Sequence, residues 1–430
     1  MTEPDYVEGR NNARYKRDEI LVATPHRERV EEVLRQAGAT LGESESSEEL
    51  GLALLQVQNV KTAAAWLENG AGPEYSKNAP QSTGVHDLDP LLAALRAHFK
   101  ARHGGWSPTI GKNRFLGPVF GGDGAVHHSG GGEPSKVAAT DQLPARKAGA
   151  GAGVVVGVLD TYIAPHPWLE GGWVADPEQQ LPRQPVYAPA DGHATFVTGL
   201  ILAQAPSATV RVRQVLGTGG RGAYAWNVAK EIVTLGRSGI DILNLSLLCQ
   251  TEDGGEPLVL RTAVNKVPPG VVVVAAAGNH GAENPGQAVD GQGATTNGPV
   301  YPAALPEVVA VGASTQTGTV ASFTPRDAEW IDLIALGEGV VSTYLDALVE
   351  LDHRPVRFNG WARWSGSSFS AAGVSGAIAA RINKGVTAPE ALRTVSGAAR
   401  KIQAVSGTSW TPRIVSLNGE YANYDSTSTV

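Results

Sequence analysis

The sequence predicts an α/β fold in which a mostly parallel sheet lies between helical layers, preceded by a small α+β domain. From Gly153 onward, near-continuous Val and Ile runs alternate with helical stretches, which is typical of parallel strands buried on both faces. Residues 18–100 hold two shorter strand–helix units, enough for a compact ferredoxin-like module. The expected parts are a polar arm at 1–17, an α+β domain at 18–100, a Gly/Pro-rich linker at 101–150, a main domain at 151–415 and a polar tail at 416–430.

Each element of the first domain follows from its pattern of apolar residues. Short apolar runs predict strands, whereas apolar residues three and four positions apart predict amphipathic helices. Asp89-Pro90 is a typical start for the third of these helices. The expected strands are Asp18–Thr24 and Leu52–Gln58, and the expected helices are His26–Gly38, Val60–Leu67 and Leu91–Phe99.

The linker at 101–150 is dense in glycine, contains recurring proline and lacks periodicity, which predicts an exposed loop. Within it, Asn113–Phe120 forms an apolar island. Two interpretations are open for this island. It is either a strand or loop packed on a neighbouring element, or a functional docking segment.

The main domain repeats the order buried strand, loop and helix. In a parallel sheet of this kind the functional groups collect at the carboxyl ends of the strands. The expected strands are Val154–Leu159, Thr209–Leu216, Ile240–Ser246, Val271–Ala277 and Val308–Val311. The expected helices are His193–Ala205, Tyr224–Ser238, Glu256–Val267 and Ser370–Asn383.

Composition and charge exclude several classes of protein. The net charge of −7 is modest for 430 residues and argues against a nucleic-acid partner. No apolar run reaches the roughly 18–20 residues of a membrane span, and Met1–Arg17 is too polar for a signal peptide. A single cysteine, Cys249, excludes an intramolecular disulfide and a cysteine-based zinc site. We therefore expect a cytoplasmic protein without a membrane partner, with export by a non-standard route left open.

Four polar residues stand at predicted strand ends or helix starts. Asp160 ends the first strand, His193 begins a helix, Asn279 follows a strand, and Ser368 opens a helix of small residues. Each alone has an ordinary interpretation as a turn or helix-capping residue. Together they supply what attack by a serine requires: a nucleophile, a base, a carboxylate that orients the base, and a donor for the oxyanion.

The segments around these residues resemble the subtilisin-like serine peptidases, also called the subtilase family, whose triad runs in the order Asp, His, Ser. The resemblance covers nearly all of residues 150–400. It implies a subtilisin-like three-layer fold and a serine endopeptidase that acts on peptide or protein substrates. The matching segments are VVVGVLDT (154–161), GHATFVTG (192–199), AAAGN (275–279), YPAALPEVVAVGA (301–313) and SGSSF (365–369).

The resemblance assigns a role to each matching position. It implies that Asp160 orients the imidazole, His193 is the general base and acid, and Ser368 is acylated. It places the oxyanion hole at the Asn279 amide and the Ser368 N–H. It implies substrate-binding segments at Gly220, Arg221 and Gly222, at Ser246, Leu247 and Leu248, and at Ala276, Ala277 and Gly278.

Several positions depart from the family pattern without removing a catalytic group. Tyr162 and Leu248 stand where the family usually has glycine, so the substrate preference is expected to differ. A narrowed pocket that favours smaller or aliphatic side chains is one interpretation of Leu248. Phe196 replaces a common histidine, and Ala372 replaces the usual proline after the nucleophile.

The family also suggests a role for the N-terminal domain. Residues 18–100 resemble a propeptide that inhibits the cleft, with a processing site in 101–150; an unrelated accessory domain is the alternative. No cofactor is expected, and although calcium binding is common in the family, no local run matches a calcium loop. Asn284–Gly298, with Asp290 as its carboxylate, is either an ion site or a plain loop. Two other functions stay open: a catalytically silent peptide-binding module, and an esterase, which the absence of a Gly-x-Ser-x-Gly elbow disfavours.

Overall fold

The computed structural model describes residues 6–70, 88–119, 132–281, 297–402 and 410–417. Its chain divides into two compact units. The first unit comprises residues 1–116, 224–233 and 251–266, and the second comprises 117–223, 234–250 and 267–430. The predicted tail Asn418–Val430 and most of the segment Asn284–Gly298 lie outside the described residues.

The N-terminal part of the first unit is an antiparallel sheet with helices packed on one apolar core. The strands are ordered β5-β2-β4-β3, with β1 paired to β2. The chain order β2-α1-β3-β4-α2-α3-β5 matches a β-α-β-β-α-β ferredoxin-like module with one added helix. Its elements are β1 Tyr6–Glu8, β2 Arg14–Ala23, α1 Arg27–Gln36, β3 Thr40–Ser47, β4 Leu52–Gln58, α2 Val60–Gly70, α3 Leu88–Arg102 and β5 Ile110–Pro118.

Three parts of this module differ from the sequence-based prediction. The expected polar arm at 1–17 contains β1 and the start of β2, and the expected linker at 101–150 contains β5, which pairs directly with β2. Strand β3 was not predicted at all, because its sequence TLGESESS is polar and its side chains are mostly exposed. An edge strand with two solvated faces lacks the apolar alternation on which strand prediction depends.

The second unit is built around a parallel sheet formed by nine of the described strands, in the order β20-β21-β15-β14-β13-β11-β7-β9-β8. All its pairs are parallel except the pair β20–β21. The smaller sheets are β16-β19-β6 and β17-β18. The strands are β6 Ser135–Lys136, β7 Val155–Asp160, β8 Trp173–Val174, β9 Thr209–Gln214, β10 Ala223–Tyr224, β11 Ile242–Leu245, β12 Leu247–Leu248, β13 Val272–Ala276, β14 Val308–Ser314, β15 Leu333–Leu336, β16 Val340–Thr343, β17 Leu348–Leu351, β18 Arg354–Arg357, β19 Trp361–Trp364, β20 Arg400–Lys401 and β21 Arg413–Ile414.

The remaining helices confirm the predicted alternation with strands. They are α4 His193–Gln204, α5 Ala225–Gly236, α6 Leu258–Val264, α7 Ser367–Ala379 and α8 Ala388–Ala398. Helix α7 begins three residues earlier than predicted, so Ser368 lies within its first turn. None of the helices in the described ranges is long and apolar enough to cross a membrane.

Helices α4 and α7 are both buried along their length and pack against each other. Their close approach depends on Gly376. A methyl group added there would lie 2.7 Å from both the Ile201 carbonyl oxygen and Gln204 Cβ, inside the contact distance of two carbon atoms. This packing brings together two helices whose first turns carry His193 and Ser368.

Ion pairs join the N-terminal module of the first unit to the two later segments of the same unit. Lys112 Nζ lies 2.7 Å from Glu252 Oε1, and Arg114 lies 2.8 Å from the other oxygen of that carboxylate. Lys230 pairs with Glu45 at 2.6 Å at a more exposed position. Burial raises the pKa of Glu252, but attraction to Arg114 and Lys112 outweighs it, so that the pKa falls below its ordinary value. The buried cations and the carboxylate therefore compensate each other.

Candidate active site

Asp160 and His193 form the most buried polar contact of the site. Strand β7 ends at Asp160 and helix α4 begins at His193, and both side chains are fully buried. His193 Nδ1 lies 2.7 Å from Asp160 Oδ1, which also accepts a hydrogen bond from the Thr161 N–H at 2.7 Å. Because a carboxylate accepts, Nδ1 carries the hydrogen and Nε2 is the basic nitrogen of the ring. The carboxylate therefore fixes both the orientation and the tautomer of the imidazole.

Aromatic side chains pack against the imidazole of His193. The Trp364 ring meets it edge to face at a centroid distance of 5.8 Å, and the Phe369 ring lies at 5.5 Å. Phe196 packs on Phe369 at 4.4 Å and on Trp364 at 5.8 Å. Phe196, noted above as a departure from the family pattern, thus belongs to an apolar support for His193 rather than to the polar site.

Ser368 lies in the first turn of α7, directly before Phe369. Its side chain is buried, and its hydroxyl oxygen forms no hydrogen bond within the described residues. A helix N-terminus presents backbone N–H groups and a positive dipole end, which stabilise negative charge nearby. The packing of α7 on α4 thus brings Ser368 towards the N-terminal end of α4, where His193 lies. The next residue, Phe369, contacts the His193 ring directly.

Asn279 follows β13 and its side-chain amide is held in one orientation. Its Oδ1 accepts the Ser367 N–H at 2.9 Å, so Nδ2 is the donating end and points the other way. The Ser367 hydroxyl in turn accepts the Gly278 N–H at 3.0 Å. Ser367, which the sequence did not single out, therefore ties the Asn279 loop to the start of α7.

The acceptor for Asn279 Nδ2 is the carbonyl oxygen of Val119, at 2.8 Å. The two residues before Val119 pair antiparallel with β12, Pro118 opposite Leu247 and Gly117 opposite Leu248. The chain thus adds a short strand beside the candidate oxyanion donor. Of the two interpretations of the apolar island, the described part of this segment is a strand packed on its neighbours, since β5 pairs with β2 and, at Gly117 and Pro118, with β12.

The other predicted substrate-binding segments surround this short strand. Ser246 lies buried between β11 and β12 and accepts a hydrogen bond from Asn244 Nδ2 at 3.2 Å. Across the cleft, Ala276 and Ala277 are fully buried at the end of β13. Gly278 follows them with φ of +89°, a backbone conformation that side chains rarely adopt.

The loop of Gly220, Arg221 and Gly222 lies beside the helix that carries His193. Asp191, two residues before His193, accepts the Gly219 N–H at 2.7 Å through one carboxylate oxygen and the Ala188 N–H at 2.9 Å through the other. Burial raises the pKa of Asp191, while these backbone hydrogen bonds oppose the rise. Asp191 is a second positioning residue that the sequence did not reveal, since an Asp before Gly is an ordinary turn residue.

A metal site is not found within the described ranges, where no group of three or more His, Cys, Asp or Glu side chains is arranged to hold an ion. Of the segment Asn284–Gly298, only its last two residues are described. Cys249 is a buried thiol.

Comparison with known proteins gives a consistent result. A family model described as "Subtilase family" matches residues 151–408, which include all four candidate side chains. Subtilisin BL from Lederbergia lenta is 34% identical over 203 residues, covering 45% of this chain and 67% of its own length. Subtilisin Savinase from the same organism shows the same identity and coverage.

A solved structure resembles nearly the whole chain. Fervidolysin from Fervidobacterium pennivorans, described as a keratinolytic enzyme related to subtilisin, superposes with a TM-score of 0.57 at 17% identity. The alignment covers 95% of this chain and 61% of fervidolysin. At that identity the likeness concerns the fold alone.

Proposed function

This chain belongs to the subtilase family of serine endopeptidases, and we propose that it cleaves peptide bonds with Asp160, His193 and Ser368 while its own N-terminal region restrains it. The observation that carries the proposal is the buried contact of 2.7 Å between Asp160 and His193, at the start of a helix packed against α7, whose first turn contains Ser368. Subtilases need no cofactor for this chemistry, although many of them bind calcium.

The proposed reaction uses each group at a stated atom. While Nδ1 is hydrogen-bonded to Asp160, His193 Nε2 takes the proton from Ser368 Oγ as that oxygen attacks the substrate carbonyl. The resulting oxyanion accepts hydrogen bonds from Asn279 Nδ2 and from the Ser368 N–H. The imidazolium then protonates the leaving amine, and water releases the acyl group from Ser368 by the same steps.

We also propose that residues 117–119 act as the restraint. A peptide carbonyl bonded to Asn279 Nδ2 and flanked by antiparallel pairing has the arrangement of a substrate added to a strand edge. Since Val119 supplies that carbonyl, the expected cleavage site is the bond between Val119 and Phe120. This position lies within the linker expected to carry the processing site.

Contacts within the first unit support retention of the N-terminal module after such a cut. The Trp226 N–H donates to Asn113 Oδ1 at 3.0 Å, and Asn11 Nδ2 donates to the carbonyl oxygen of Glu252 at 3.0 Å. Together with the ion pairs of Lys112 and Arg114, these bonds join the module to segments inside the range matched by the family model. We therefore expect the cut module to remain bound and inhibitory until it is removed.

The test compares full-length wild-type protein with Ser368→Ala, using Ser396→Ala in helix α8 as a matched control. Wild type and the control are expected to yield a fragment that ends at Val119, identified by intact mass, while Ser368→Ala stays whole. A fluorophosphonate is expected to label wild type but not Ser368→Ala. Absence of both labelling and shortening in wild type would instead favour the silent peptide-binding module. Equal shortening of Ser368→Ala in pure solution would contradict self-processing.

A further inference from the structure

Leu248 lies next to the segment 117–119, which the proposed function places in the substrate cleft. Leu248 pairs with Gly117 across the short strand, so its position along the cleft is fixed relative to the bound segment. Gly278 lies directly before the donor Asn279. A methyl group added to Gly278 would lie 3.1 Å from Leu248 Cδ2. The Leu248 side chain therefore fills the space next to Gly278.

His280 fills the same space from another direction. Its imidazole lies against the same glycine, with Nδ1 2.6 Å from the added methyl position. His280 Nε2 is in turn within 3.0 Å of the Gly298 carbonyl oxygen. Both Leu248 and Val119, the residue that presents its carbonyl to Asn279, are buried, at 4% and 5% exposure.

We propose that the side chain before the scissile bond, that of Val119 in this chain, binds in a pocket next to Leu248 and Gly278. Leu248 then determines the primary specificity of the enzyme by closing this pocket to aromatic and long side chains. The favoured residue before the scissile bond is then a compact branched aliphatic one such as valine, in an extended segment like Leu-Gly-Pro-Val at 116–119. The inference rests on the proposed function, because it concerns the substrate of the same site. Since protein interiors are close-packed, an oversized side chain must displace Leu248 or leave the carbonyl away from Asn279.

Size discrimination in such a pocket has a known scale. One misfitting methylene is worth about 10–200-fold in kcat/KM. A phenyl ring in place of an isopropyl group exceeds that difference. We therefore expect at least about tenfold selection of valine over phenylalanine in wild type, and loss of this selection when Leu248 is shortened.

The test uses the chain as its own substrate and compares the rates of self-processing of four full-length proteins: wild type, Val119→Phe, Leu248→Gly and the double variant. Val119→Phe is expected to slow the first-order shortening at least about tenfold, and Leu248→Gly is expected to restore the rate in the double variant. Val119→Ala is the matched control, because a smaller side chain at the same position fits either pocket. Unchanged processing of Val119→Phe, or failure of Leu248→Gly to rescue it, would overturn the assignment.

A second measurement avoids substitution in the N-terminal region. Processed wild type and Leu248→Gly are given peptides that contain Leu-Gly-Pro-Val or Leu-Gly-Pro-Phe before the same leaving segment. Wild type is expected to prefer the valine peptide, whereas Leu248→Gly is expected to cleave both or to prefer phenylalanine. Equal cleavage by wild type would refute the role of Leu248 while leaving the endopeptidase activity standing. A wild-type protein that neither cleaves peptides nor reacts with a fluorophosphonate would refute the proposed function itself.

Discussion

Replacement of Asn279 by alanine is the sharpest test of the proposed oxyanion site. The side chain makes two buried hydrogen bonds, one to the Ser367 N–H that orients it and one to the Val119 carbonyl oxygen that it stabilises. A hydrogen bond to a charged acceptor contributes about 1.5–3 kcal/mol, against about 1 kcal/mol for a neutral carbonyl. Only the difference accelerates the reaction, since binding that is equal in the ground and transition states leaves kcat unchanged.

Exclusion of water raises this difference at a buried site. Removal of the corresponding kind of donor from a subtilisin costs about 10²–10³ in kcat, and we carry that magnitude over to Asn279→Ala. Ser367→Ala is the matched control: it keeps the backbone N–H that orients Asn279 but removes the hydroxyl that accepts the Gly278 N–H. One neutral bond of about 1 kcal/mol corresponds to about fivefold in rate.

The assay is the first-order rate at which the full chain shortens, measured by intact mass at several protein concentrations. A rate independent of concentration identifies cleavage within one molecule. The labelling rate of Ser368 by a fluorophosphonate gives a second measure, because that reaction also places an oxyanion beside Asn279. If Asn279→Ala shortened and labelled within about threefold of wild type, the assigned oxyanion role would be wrong.

Two further predictions concern stability, measured in a background without the nucleophile. Gly376→Ala should lower the melting temperature of the second unit, because overpacking of α7 against α4 costs about 1–3 kcal/mol. The control Gly397→Ala, which has open space around it in α8, should raise the melting temperature slightly. Equal shifts for the two variants would refute the packing argument. Glu252→Gln should destabilise the first unit at neutral pH, because Arg114 and Lys112 lose the charge of this carboxylate and, among the described residues, Lys112 keeps only its ion pair with Asp89 at 2.7 Å. Because the pKa of Glu252 is below its ordinary value of 4.5, its stabilisation is complete above that pH and is lost as the pH falls through the lowered pKa. The difference between wild type and Glu252→Gln should therefore shrink in acid, and a constant difference would contradict the ion-pair account.

Much of the second unit could be predicted because its signals are local. Buried parallel strands such as Val272–Ala276 appear in the sequence as continuous apolar runs. The predicted bounds of helix α4 differ from the observed ones by one residue. Asp160 and His193 were placed at a strand end and a helix start, and the structure brings them into contact. Strand β3 was missed because its polar, mostly exposed sequence lacks apolar alternation, and β5 was expected only as an apolar island inside a linker, since its pairing with β2 depends on distant residues.

The sequence by itself determined the chemical groups of the site, because nucleophile, base, carboxylate and amide each stand in a short, recognisable segment. Only the tertiary structure decided which other residues contact these groups. The bond from Asn279 to the Val119 carbonyl joins positions 160 residues apart, and the Lys112 ion pair with Glu252 joins positions 140 apart. The proximity of Leu248 to Gly278 likewise joins two segments that are distant in the sequence. Such contacts arise from the path of the backbone, and no local pattern of residues encodes them.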